Sequence, residues 1–224
     1  MSRRGTLMDM SPSSRRLLLV AATVTAAVTL SGCAVGPRAT LPPTSTTVPS
    51  DQRLEDAHPT PPEGRVLGTG TVIDGTDGPT LCLGAVMDSS PPQCAGVPLD
   101  DWTWDGVDGS VSARDTRWGS YAVYGTFDGE RLTVTDPPIL LALFDPVAPE
   151  DPTGGKTGIT PEGELTRVQE DIAARLGPGA VFVGTDRGYV WLQVSWDDGT
   201  LQRAADDEYG DGVVIVESLL READ

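Results

Sequence analysis

The residues best equipped for chemistry sit in one short run, Asp101-Trp102-Thr103-Trp104-Asp105, with Trp118 following. Two flat indoles flanked by carboxylates can stack on sugar rings while the acids accept hydrogen bonds from hydroxyls. The same tryptophans can equally fill the core of a small domain short of Leu and Ile, and the sequence leaves both readings open. Catalytic groups are scarce by comparison. His58 is the one histidine and lies in a Pro-rich stretch, so the folded part has no imidazole to activate a Ser or Cys nucleophile. Among thirty-three Asp and Glu residues coincidental carboxylate pairs are expected, which leaves a carboxylate-dependent hydrolase as the weaker alternative. The acidic clusters Asp100-Asp101, Asp105 and Asp108, and Asp206-Asp207-Glu208 with Asp211-Gly212, lack the alternating ligands of a calcium loop. Gly154-Gly155-Lys156-Thr157 fails as a phosphate loop because Glu150 stands where that motif needs its first glycine. No metal, no cofactor and no catalytic residue is expected.

Charge narrows the partners. Sixteen basic against thirty-three acidic side chains give −17 over 224 residues, a field that repels phosphate backbones, so no nucleic acid is expected. A chain of this size, 38% hydrophobic and without a visible repeat, holds one or two modest domains.

The N-terminus reads as an address. Arg3, Arg4, Arg15 and Arg16 precede an uncharged stretch whose apolar heart, Leu17 to Leu30, is short for a bilayer span. It ends in Leu30-Ser31-Gly32-Cys33, which resembles the lipobox of bacterial lipoproteins. That resemblance implies a signal peptide over 1–32, lipidation with palmitate or a related acyl chain on Cys33, and a location on the extracytoplasmic face of the cell membrane. Ser14-Arg15-Arg16-Leu17 fits a twin-arginine export signal as well as an ordinary positive leader. Cleaved before Cys33, the chain would keep twelve basic and thirty-two acidic residues, a charge of −20, and two or three acyl chains anchor stably without a spanning helix.

Beyond Cys33, residues 33–64 are Pro, Thr, Ser and charge, and read as a disordered tether reaching about 30 Å as a coil. With Cys33 acylated, Cys82 and Cys94 remain as one pair in an oxidising compartment, and a disulfide is expected.

Positioning falls to two small domains. In 65–145 strand signals dominate: Arg65 to Ile73, then Asp74-Gly75 and Asp77-Gly78 turns, Thr80 to Val86, and a hairpin in which Tyr121 to Phe127 alternates, turns at Asp128-Gly129-Glu130 and returns through Leu132 to Thr135. Ile139 to Phe144 is a candidate closing strand. Several short strands pinned by one disulfide make a barrel or sandwich, and the Gly-rich hairpin resembles the curved strands of an OB-like barrel. Residues 146–160 are a second linker. The 161–224 domain opens with Thr160 as cap and Pro161 at the first position, presents Leu165, Val168, Ile172 and Leu176 on one face, and stops at Gly177-Pro178. Strands over 181–184 and 189–196, a helix over 200–209 and a strand over 213–218 complete an α-β-β-α-β order. This order resembles the BON domain of envelope proteins and the pro-region modules of secreted serine proteases.

The expected fold class is therefore α+β, a small OB-like all-β domain followed by a small α-β-β-α-β domain. The expected role is non-catalytic: binding of a cell-wall glycan or an envelope protein by a membrane-anchored chain, with Asp101, Trp102, Trp104, Asp105 and Trp118 as candidate ligand contacts. Regulation of a secreted protease through the C-terminal module is the alternative.

Overall fold

A computed structural model describes residues 53–223; the expected signal peptide over 1–32, the expected lipidation site Cys33 and the expected tether up to residue 52 lie outside them. The barrel begins with β1 (Arg65–Gly75), whose Val66 and Val72 are fully buried, and turns at Gly75 into β2 (Gly78–Cys82). β3 (Gly96–Asp100), β4 (Val111–Ala113), β5 (Thr116–Phe127) and β6 (Leu132–Val134) follow, then a two-residue β7 (Ile139–Leu140). On β5, Tyr121, Val123 and Phe127 point inward in alternation, as a strand with one face on the core must place them. Asp128 accepts the backbone N–H groups of Glu130 and Arg131 at 2.9 and 2.7 Å and fixes the β5–β6 turn.

The strands close on themselves. β1 pairs with β2 and β5, β2 with β3, β3 runs parallel to β6, and β6 returns to β5. This five-strand circuit is a barrel and follows an OB-like order, so the barrel half of the barrel-or-sandwich alternative is the one adopted. β3 was not foreseen, because Pro98 argues against a strand. Ile139 to Phe144 forms a strand only at its first two residues and then a 3-10 turn, Leu141–Leu143.

The second module carries α1 (Glu162–Leu176), β8 (Phe182–Asp186), β9 (Tyr189–Val194), α2 (Thr200–Tyr209) and β10 (Val214–Ser218), in the expected α-β-β-α-β order. Leu165, Val168 and Ile172 bury the predicted helix face against Val190, Leu192 and Val194. The expected Thr160 cap does not form: Pro161 itself is the cap, in extended conformation, and its carbonyl accepts from Glu164 and Leu165. Gly177, at φ 47°, ends α1 as expected. Asp197 accepts the N–H groups of Leu201 and Gln202, and Asp198 that of Thr200, so the turn before α2 satisfies the donors of its first turn. The sheet order is β10-β9-β8, with β10 parallel to β9, leaving β8 at an edge.

The two ends of the described stretch cross between the two modules. The tether expected to run to Gly64 stops earlier: Leu54 and Ala57, 1% and 6% exposed, belong to the core beneath α1 and α2. A single leucine among charged neighbours is enough, because the helices leave an apolar hole for it. Arg175 on α1 binds Glu55, Asp171 and Glu208 and donates to the Tyr209 hydroxyl at 3.0 Å. Conversely β11 (Arg221–Ala223) leaves the second module and pairs with Arg65–Leu67 of β1, while Leu220 and Trp196 join the barrel core. The linker expected over 146–160 is likewise partly docked: Asp151 accepts from Thr153 and Arg187, and the Gly158 N–H donates to the Arg187 carbonyl. The described residues 53–223 accordingly belong to one compact unit.

Candidate functional site

β3 delivers the chain to Asp101, which adopts φ 58°, a left-handed conformation uncommon outside glycine. That reversal folds the next residues back onto the barrel. Trp102 and Trp104 meet edge to face with ring centroids 5.0 Å apart, and both lean on Tyr121 at 5.6 and 6.0 Å. Val107 joins them against the core. The buried Tyr121 hydroxyl donates to the Asp108 carbonyl at 2.8 Å, tying the loop to β5, and burial raises its pKa.

The two indoles differ in what remains free. Trp104 donates its N–H to Asp74 Oδ2 at 2.7 Å, and the Arg117 guanidinium lies 4.5 Å from its ring centroid; both its polar tip and one face are taken. Trp102 has its Nε1 shielded from solvent and without a hydrogen-bond partner. Buried indole N–H groups ordinarily find an acceptor, so an orphan one calls for water or a ligand atom.

Trp102 lines a cleft of about 290 Å³ together with Asp101, Asp105, Thr135, Asp136 and Pro137. The cleft opens between the β3–β4 loop and the segment leaving β6. Asp136 is oriented by the Thr135 hydroxyl at 2.6 Å and by Arg65 at 2.9 Å, which hold its carboxyl below the usual range. Carboxylates on the rim accept from hydroxyls and repel anions. Chemically the arrangement offers an aromatic wall and several carboxylate acceptors.

Of the expected contacts, Asp101, Trp102 and Asp105 come together at this cleft. Trp104 stands behind Trp102 as part of the barrel packing. Trp118 does not join them: on β5 it is offset by an odd number of residues from Tyr121 and takes the opposite face, paired across from Ile73 and Val111. Thr135, Asp136 and Tyr121 escaped sequence reasoning, since only the parallel β3–β6 pairing brings the end of β6 beside the tryptophan loop. Asp74 and Arg117 were equally invisible, because they reach Trp104 through the β1–β5 pairing.

Cys82 and Cys94 lie at disulfide distance with Cα atoms 5.7 Å apart, joining β2 to the segment before β3. Among the described residues no group of three or more His, Cys, Asp or Glu side chains converges as a metal site. No described helix is long and apolar enough to cross a membrane. In comparisons with known proteins, the chain matches no family model, no curated protein and no solved structure.

Proposed function

We propose that the protein is an exported lipoprotein, acylated at Cys33, whose folded unit binds a hydroxyl-rich, uncharged segment of a cell-wall glycan without transforming it. The leader and the Leu30-Ser31-Gly32-Cys33 sequence support the anchoring. The observation that carries the binding is the cleft of about 290 Å³ that Trp102 lines together with the carboxylate residues Asp101, Asp105 and Asp136. A sugar ring can pack against the indole while its hydroxyls donate to the acids. The acidic rim disfavours phosphate-bearing polymers and favours neutral ones. The lipid would hold the chain at the membrane while the Pro- and Thr-rich stretch ahead of Arg53 gives the cleft reach.

Isothermal titration of the 47–224 unit with neutral wall oligosaccharides tests this reading. Saturable heat that is lost in Trp102→Phe is the expected result. Equal binding by wild type and Trp102→Phe, or no binding by either, removes the cleft as the site.

The protease-regulator reading retains one supporting feature: β8 is a sheet edge, and its Phe182 is 52% exposed. A strand of a partner can add to such an edge. An isolated C-terminal module is the wrong reagent, because it would lack Leu54 and Ala57 from its core. The whole 47–224 unit, assayed against a panel of secreted proteases at micromolar concentration, decides the matter; no inhibition removes this alternative.

A further inference from the structure

A second cavity, independent of the glycan cleft, lies where the segment joining the barrel to α1 passes β11. Leu67 and Thr69 of β1 and Tyr124 of β5 present their outer-face side chains to it, β11 and its approach contribute Leu219 and Arg221, and Phe144 and Val147 of the joining segment complete the wall. Its volume is about 560 Å³, inside the range of about 300–1,000 Å³ typical of small-molecule sites. The lining is mainly apolar and aromatic, with a few polar groups, which is the composition such sites share.

Two sides of this cavity are built firmly. β1 and β5 pair without interruption from Arg65↔Thr126 to Asp74↔Arg117. β11 is fixed by its register with Arg65–Leu67 and by Leu220, wholly buried in the barrel core. The third side is the exposed segment 145–149, with Val147 85% exposed, and the hydrogen bond from Arg221 Nη1 to the Val147 carbonyl, 2.8 Å, ties it to β11.

Arg221 sets the ligand's chemistry. It lines the cavity, donates to the Val147 carbonyl and forms no ion pair among the described residues. A guanidinium beside an apolar chamber selects an anionic end on an apolar body. Asp145 and Glu222 line the same rim and repel a multiply charged head more than a singly charged one. A carbohydrate is disfavoured here, because Leu67, Phe144 and Leu219 offer its hydroxyls no partners.

We infer that this cavity binds a small amphipathic acid, with its apolar chain or ring against Leu67, Tyr124, Phe144 and Leu219 and its carboxylate or sulfonate on Arg221. The probe is 1-anilinonaphthalene-8-sulfonate, an apolar ring system with one sulfonate, titrated by fluorescence into the 47–224 unit and displaced with dodecanoate. Saturable enhancement reversed by dodecanoate is expected. Thr69→Phe fills the chamber from its floor and should abolish both effects, whereas Arg221→Gln should weaken dodecanoate by about tenfold while leaving dodecanol unchanged. If Thr69→Phe fails to fold by circular dichroism, the exposed Arg221→Gln change carries the test alone. Non-saturable enhancement, or dodecanoate affinity unchanged in Arg221→Gln, overturns the inference. Because the site shares no residue with the Trp102 cleft, either result leaves the glycan reading standing or falling on its own titration.

Discussion

Replacing Arg175 with methionine should loosen the attachment of the N-terminal segment and make the protein's stability less sensitive to acid. Arg175 is 21% exposed at its side chain and serves three carboxylates, Glu55, Asp171 and Glu208, besides the Tyr209 hydroxyl. Removing one partner of a fully buried pair costs about 3–5 kcal/mol, and of an exposed pair about 0–1 kcal/mol. The partial burial of Arg175 places its loss between these, at about 2–3 kcal/mol at neutral pH. Urea unfolding of the 47–224 unit, followed by tryptophan fluorescence, should show a midpoint lowered by about 1 M.

The pH dependence separates this account from simple loss of packing. The hydrogen bond from Arg175 is the largest cause holding Glu55 and Glu208 below the ordinary value of 4.5. For Asp171, ordinarily 3.8, the Tyr209 hydroxyl comes first and Arg175 second. Depressed native values mean that the unfolded chain takes up protons first as the pH falls, so the stabilisation is complete above the unfolded values and is lost as the pH drops through the folded ones. Wild type should therefore weaken steadily below about pH 4.5. In Arg175→Met, Glu55 and Glu208 repel each other with no cation between them, and protonation relieves that repulsion. The difference in stability between the two proteins should shrink from about pH 5 to about pH 3.5. A difference that stays constant across that window would refute the reasoning.

Three further outcomes follow from the same structure. Leu54→Ala should cost about 2–5 kcal/mol in urea unfolding, a core-sized penalty from a residue in a stretch that reads as tether, whereas a cost near zero would return Leu54 to the tether. The double change Cys82→Ser and Cys94→Ser should lower stability by about 3 kcal/mol in non-reducing buffer, and a wild type that unfolds identically with and without reductant would show that no bond forms. Cys33→Ala should abolish incorporation of labelled palmitate and release the protein from membranes on fractionation; retained label would place the acyl group elsewhere.

How far the sequence could be read depended on whether an element's reasons were local. The buried face of α1 was legible because Leu165, Val168 and Ile172 recur at three and four residues, and its end because Gly177 tolerates a positive φ that other residues avoid. The β5–β6 hairpin was legible for the same kind of reason: alternation on one strand and Asp128 as an acceptor at the turn. β11 was not. Arg221-Glu222-Ala223 carries no alternation or apolar signal, and only the distant Arg65–Leu67 partner makes it a strand. Leu54 was hidden similarly, since nothing in its neighbours reveals the hole between α1 and α2 that receives it.

The site divides along the same line. Asp101, Trp102 and Asp105 are close in sequence and stayed together in space, so their spacing announced them. Trp118 misled because nearness in sequence is no guide to which face of a strand a side chain takes. Which of the tandem tryptophans would keep a free N–H was beyond sequence reasoning: that depends on Asp74 and Arg117, brought to Trp104 by the barrel's closure and not to Trp102.

The most direct test of the central claim is a nitrogen-15 correlation spectrum of the 47–224 unit, recorded on the five tryptophan indole N–H signals while neutral wall oligosaccharide is titrated. The account predicts that the Trp102 signal, assigned by its disappearance in Trp102→Phe, shifts saturably as the glycan packs against its ring, while the Trp104 signal, bonded to Asp74, stays in place. A Trp102 signal unmoved at saturating glycan, or a shift confined to Trp118 or Trp191, would contradict it.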